Sequence, residues 1–223
     1  RRAAPGAAPH SRTAPHRTAP HTAEQRRPAR CTSTAPRAMR YRRAMSTHPA
    51  AGAQVDHLVV AAATLDDGVR WCESVLGVAP GPGGRHALMG THNRLLSIAG
   101  AAFPDAYLEL IAVDPDATLP LRRRWFGLDD AALQRSLRER GPRLLHVVAR
   151  TTQLELQQAG LAALGLDVGV AVAMRRETPQ GPLGWRIAVR DDGALLLGGM
   201  LPTLIEWQGR HPAAAMPASG VVL

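Results

Sequence analysis

Lysine is absent from the 223 residues, and all 27 basic side chains are arginine. With Ala and Gly in excess, that bias points to a GC-rich coding sequence rather than to selection for phosphate contacts. Cysteine is nearly absent too. Cys31 and Cys72 alone cannot build a disulfide scaffold, and no Cys cluster has the form of a structural zinc site. No charge-free run approaches the roughly 18 apolar residues a membrane span needs. Nor is there an apolar core segment of the kind a secretory signal carries, so a cytoplasmic protein is expected.

What is present supports a folded body. Length suits one medium domain or two small ones, and a hydrophobic fraction of 45% supports a core. The net charge of +9 is unevenly spread. Residues 1–49 hold 11 Arg against one acid, Glu24, whereas residues 50–223 hold 16 Arg against 17 acids. The first stretch, rich in Arg, Pro and Ala and without hydrophobic periodicity, is expected to be a disordered basic tail. The chain opens on Arg1, and Met45 begins a short polar leader before the first strand. The tail is therefore expected to play no part in the domain and to lie outside the mature protein. A nucleic-acid role rests on this tail alone and is not favoured.

The body reads as one unit written twice. Val55-Asp56-His57-Leu58-Val59-Val60 has strand composition, Thr64 to Asp67 fits a capping box, and Leu65, Val69, Cys72 and Leu76 follow at helical spacing to Gly77. Cys72 on that stripe reads as a core residue. Strands are expected at Arg85–Met89, Arg94–Ile98 and Tyr107–Val113, with Gly90 to Asn93 as a turn. Trp125 and Phe126 are expected to dock on the domain, and Asp129 or Asp130 to cap a short helix ending at Gly141-Pro142.

The pattern then returns. A strand holds His146, Thr152 with Glu155 reads as a second capping box, and a helix ends near Gly165. His57 to Leu65 and His146 to Leu154 are both eight residues, while His57 to Gly77 and His146 to Gly165 are 20 and 19. Each half closes on an apolar strand carrying an acid, Glu109 or Glu206. Such a repeat predicts halves that bury their sheet faces together.

Two imidazoles and two carboxylates in apolar strands are costly unless paired, hydrogen-bonded, protonated or metal-bound. If they converge, His57, Glu109, His146 and Glu206 form an N/O site for a divalent ion: Zn, Ni, Fe, Mn or Co. Either glutamate would also be a catalytic proton carrier. The alternative is structural: core histidines, and glutamates paired with Arg94 or Arg186. Should Trp207 rather than Leu204 face the core, Glu206 becomes an ion-pair partner or a substrate clamp.

The segments Asp56-His57-Leu58-Val59-Val60, Gly83-Gly84-Arg85-His86, Gly90-Thr91-His92-Asn93-Arg94-Leu95-Leu96 and Tyr107-Leu108-Glu109 together resemble the glyoxalase-like domain family of the vicinal oxygen chelate superfamily. The resemblance spans about residues 54–210. It implies an α+β fold of two tandem βαβββ modules, with curved mixed sheets around a central cleft. The modules would occupy about 54–116 and 142–212, with a linker and helix at 117–141 and a flexible end from 213 to 223. It also implies metal ligands on the first and last strands, hence at His57, Glu109, His146 and Glu206. His92, Asn93 and Arg94 are candidate substrate contacts, with Asn93 as a turn former the alternative. Trp185 and Trp207 are candidates for an apolar substrate wall or for core packing, and His86 could reach the cleft mouth. Two functions stand: a metal-dependent lyase, isomerase or dioxygenase for a small oxygenated substrate, or a metal-free binding or sequestering protein. A homodimer is an expected assembly.

Overall fold

A computed structural model describes residues 52–223, so the expectations for residues 1–49, Cys31 included, lie outside the described residues. The body opens with β1 (Gln54–Ala61), α1 (Leu65–Leu76), β2 (Arg85–His86), β3 (Thr91–Ser97) and β4 (Tyr107–Val113). A 3-10 turn (Trp125–Gly127) and α2 (Ala131–Arg140) connect to β5 (Arg143–Arg150), α3 (Leu154–Ala163), β6 (Val170–Arg176), β7 (Leu183–Val189) and β8 (Thr203–Gln208). No helix among the described residues is long and apolar enough to cross a membrane.

The strands form one curved sheet in the order β2-β3-β4-β1-β5-β8-β7-β6. Each half contributes four strands in equivalent places, and β1 meets β5 antiparallel at the centre. Register there repeats itself: His57 faces Val148, and Val59 faces His146. The two histidines therefore hold equivalent positions about an approximate two-fold axis, as the spacing predicted.

Local chemistry explains the first helix well. Thr64 accepts a hydrogen bond from the Asp67 backbone N–H at 3.1 Å, and Gly77 at φ 71° ends α1 in the left-handed conformation. Of the two candidate caps for α2, Asp130 accepts from Ala132 and Leu133, while Asp129 instead pairs with Arg124. The expected capping box of α3 does not form. Gln153 holds the cap position without a side-chain bond, and Glu155 turns to Arg186.

Alternation puts different cores on the two faces of the sheet. On the outer face, α1 packs Cys72 against Val60, Leu96, Leu108 and Leu110, and α3 packs Leu154 against Ala149, Ala188 and Leu204. On the inner face, Val59, Ile111, Val148, Met174, Trp185, Ile187 and Ile205 surround Trp125 and Phe126. The linker thus inserts its two aromatics between the halves. Phe126 does so at φ 58°, a left-handed conformation unfavourable for a bulky residue that tight packing must hold in place.

The end of the chain, expected as a flexible segment 213–223, makes contacts with the body. Ser219 donates to the Ser97 carbonyl, the Leu223 N–H bonds the Ile98 carbonyl at 3.0 Å, and Val221 packs on the α1 core.

Candidate functional site

The site begins with an irregularity in β1. Val55 pairs with Ala149 and His57 with Val148, so Asp56 is an extra residue opposite no partner. Such a bulge lets two consecutive side chains serve one region, which strict alternation forbids. Asp56 is fully enclosed, and its carboxylate accepts from three groups: His57 Nδ1 at 2.6 Å, Trp207 Nε1 at 2.9 Å and His211 Nε2 at 2.9 Å. Burial alone would raise its pKa, but the bonds from His211 and His57 win and hold it well below the usual carboxylate range. An ionised Asp56 on Nδ1 leaves Nε2 as the working nitrogen of His57.

That nitrogen points at Glu109. Val59 pairs in parallel with Glu109, which sets the glutamate on the same inner face, and His57 Nε2 lies 3.5 Å from Glu109 Oε2. The other oxygen, Oε1, accepts from Asn93 Nδ2 at 2.6 Å. Asn93 is oriented by the backbone that faces it across the sheet, because the Gly84 N–H donates to Oδ1 at 2.8 Å and leaves the NH2 for Glu109. The same NH2 sits 3.3 Å from His86 Nε2, while His86 Nδ1 meets Thr91 Oγ1 at 3.0 Å. Burial pushes His86 down to about 4, against the raising influence of Glu109, so it is neutral and accepts at Nε2. Tyr107 stacks on His57 with ring centroids 4.6 Å apart.

These residues enclose a chamber of about 30 Å³, room for one or two waters, walled by Trp125, Trp185 and Trp207. Asp56, His86, His211 and Arg176 belong to this constellation, yet none was a sequence candidate for metal or catalysis. Only the Gly-Gly-Arg-His run hinted at His86. Nothing in local pattern marks a bulge, so Asp56 was invisible.

Two of the expected substrate contacts point elsewhere. Residues 91–93 belong to β3 rather than to a turn, so alternation sends Asn93 inward and His92 and Arg94 outward. His92 lies 4.0 Å from Asp114, and Arg94 is exposed. Trp185 and Trp207 do line the chamber, and Trp207 also serves as a donor to Asp56.

The second half departs from the first at the acid. Val148 pairs in parallel with Thr203, as Val59 does with Glu109, so the symmetry mate of Glu109 is Thr203, not Glu206. The offset of three residues is odd and moves Glu206 to the outer face. There it pairs with Arg186, which also holds Glu155. Leu204 faces α3, and Trp207 faces inward, the arrangement that makes Glu206 an ion-pair partner. His146 Nε2 lies 3.0 Å from Thr203 Oγ1 and accepts from the Thr203 N–H at 3.1 Å. Burial pushes its pKa down to about 4, and Phe126 covers it at a ring separation of 5.5 Å. The four expected ligands therefore do not converge.

A divalent ion needs more donors than remain. Catalytic metal sites typically take three protein ligands, whereas His57 and Glu109 supply two. Among the described residues, no group of three or more His, Cys, Asp or Glu side chains is placed to hold an ion. The residues present do not fit the family-type centre.

Two βαβββ units sharing one curved sheet, with polar side chains gathered on its inner face, define the architecture of the vicinal oxygen chelate superfamily. A sequence profile described as a glyoxalase-like domain matches residues 55–223, and the chain belongs to that family. No curated protein matches the sequence significantly. Among solved structures, a hypothetical protein from Staphylococcus aureus is similar at 19% identity and a TM-score of 0.49, over 73% of this chain and 62% of that one. Methylmalonyl-CoA epimerase from Mycobacterium tuberculosis is similar at 19% identity and a TM-score of 0.40, over 72% and 91%. A Streptomyces coelicolor methylmalonyl-CoA epimerase variant in complex with 2-nitronate-propionyl-CoA follows at 17% identity and 0.43, over 71% and 96%.

Proposed function

We propose that the protein is an isomerase- or lyase-type enzyme that moves a proton on a small oxygenated molecule, using Glu109 and His57. The observation that carries this reading is the buried chain Asp56–His57–Glu109, with Glu109 fixed on its other oxygen by Asn93. Glu109 Oε2 takes the proton from a carbon next to a carbonyl. As that C–H bond breaks, charge develops on the carbonyl oxygen, and His57 Nε2–H donates a proton to it, giving the enol. Return of the proton from Glu109 to carbon, with the enol O–H proton going back to His57 Nε2, completes an isomerisation. Departure of a leaving group from the next carbon with the Glu109 proton, while the enol O–H proton returns to His57, completes an elimination. Asp56 holds the imidazole through Nδ1 throughout, which keeps Nε2 turned to the substrate oxygen.

The test is hydrogen exchange in D2O followed by NMR, with 2-oxo acids, 2-hydroxyketones and malonyl half-thioesters as candidate substrates. Enzyme-dependent deuterium uptake at one carbon is expected, falling by about 10²–10⁴ in Glu109→Gln. Uptake no faster than buffer across the set, or undiminished in Glu109→Gln, overturns the reading. A metal-free binding protein is the second reading, favoured by the small chamber and the aromatic plug beside it. Tight binding of a ligand that never exchanges would select it.

A further inference from the structure

We propose that Arg176 and the cavity beside it form an anchoring subsite for a carboxylate group of the substrate. The proposal rests on the proton-transfer reading only for which end of the molecule reacts. Arg176 ends β6, half-buried, where it lines both a second cavity and the chamber of Glu109. Nη1 donates to Asn93 Oδ1 at 3.3 Å, and Nε is enclosed without a hydrogen-bond partner. No carboxylate among the described residues pairs with it. Its neighbour Arg175 pairs with Glu177, and Arg85, Arg124, Arg186 and Arg190 each hold an acid. A cation so placed without a counter-ion is costly, and a planar two-oxygen anion is the partner a guanidinium fork matches.

The backbone is shaped to admit this side chain. A Cβ at residue 84 would stand 2.3 Å from Arg176 Nη1, and one at residue 83 would stand 2.0 Å from the Asn93 carbonyl oxygen. Glycine at 84 leaves room for the guanidinium, and glycine at 83 leaves room for Asn93, its partner. The second cavity measures about 210 Å³, and Leu95, Leu183 and Met216 give it apolar walls. Leu95, Arg176 and Pro212 line both spaces, which makes them adjoining rooms with the cation at the doorway. A short acyl chain fits the apolar walls and its carboxylate fits Arg176 at the doorway, so the carboxylate end is the end of the molecule that lies toward the chamber of Glu109. The ligand class is a small aliphatic carboxylic acid.

Calorimetric titration with 2-oxobutyrate and malonate, against 2-oxobutyramide, malonamide and inorganic phosphate, tests the subsite without any turnover. The acids are expected to bind at least about tenfold more tightly than the amides and than phosphate. Arg176→Gln should lose that preference, and Arg176→Lys should restore part of it. Glu109→Gln should retain it, which separates this subsite from the proton-transfer reading. Should Arg176→Gln fail to fold by circular dichroism, Gly84→Ala displaces the guanidinium and is expected to give the same loss. Acid and amide binding equally, acid binding unchanged in either variant, or no acid binding to the wild type at 50-fold above about 1 mM each overturns the proposal. Phosphate binding as tightly as the acids overturns its carboxylate class.

Discussion

The two halves share a frame and differ in what they hold. In the first, parallel pairing of β1 and β4 sets a histidine against a glutamate, beside Asn93 and an open chamber. In the second, the same pairing of β5 and β8 sets a histidine against a threonine, and Phe126 fills the space in front. Register survived duplication because hydrogen-bonded strands with a buried face tolerate no one-residue slip. The side chains were free to diverge. A neutral His146–Thr203 pair can be sealed under an aromatic ring, whereas a buried carboxylate demands partners, and the first half supplies them.

The largest effect should come from testing that asymmetry in the chemistry. Glu109→Gln should cost about 10²–10⁴ in exchange rate, while Thr203→Val, at the equivalent place, should change it by no more than a few-fold. Comparable losses from both would abolish the contrast. The next effect restores the missing donor. Thr203→Glu puts a carboxylate at the place equivalent to Glu109, beside His146, and elemental analysis after dialysis against zinc should find the ion retained near one equivalent. Wild-type protein is expected to retain little, and His146→Ala should remove the gain. Metal held equally by wild type would show that two donors suffice.

On stability, the halves should agree. His86 and His146 are both pushed by burial to about 4, below the value of 6.5 for a free imidazole. The unfolded chain therefore takes up protons first, and stability is complete above about pH 6.5. It falls as pH drops toward 4, by up to roughly 3 kcal/mol for each histidine. Urea unfolding at pH 7 and pH 5 measures the slope, and His146→Asn should flatten it by about half. The smallest effect belongs to Glu206. Glu206→Gln removes an outer-face ion pair with a partly exposed Arg186 and should cost no more than about 1 kcal/mol, with exchange activity unchanged. A large activity loss there would return Glu206 to the site.

Much of the frame was legible along the chain. The eight-residue step from each histidine to its helix, the Thr64 cap and the Gly77 stop are local features, and each is found where its spacing put it. The acid of the second half was not legible. Any strand ending in Leu-Ile-Glu-Trp offers two phases, and the choice between Glu206 and Thr203 depends on pairing with β5. The third and fourth segments of the second half, β6 and β7, flank Thr178-Pro179-Gln180-Gly181, a turn written in the sequence, and the repeat required strands on either side of it. His92 and Arg94 were misplaced because β3 starts at Thr91, three residues before the expected strand, and a run of neighbours in a strand cannot share one face.

Sequence by itself determined the duplication, the βαβββ order of the first half, the two equivalent histidines and Glu109, since periodicity, caps and spacing are written within a few residues. Tertiary structure decided the rest of the site. The bulge that turns Asp56 inward exists only opposite β5, and Asp56 meets His211 across 155 positions. Arg176 reaches Asn93 across 83 positions, through a gap left by two glycines. Such meetings depend on which strands become neighbours, and no local pattern encodes the distance between residues that only folding brings together.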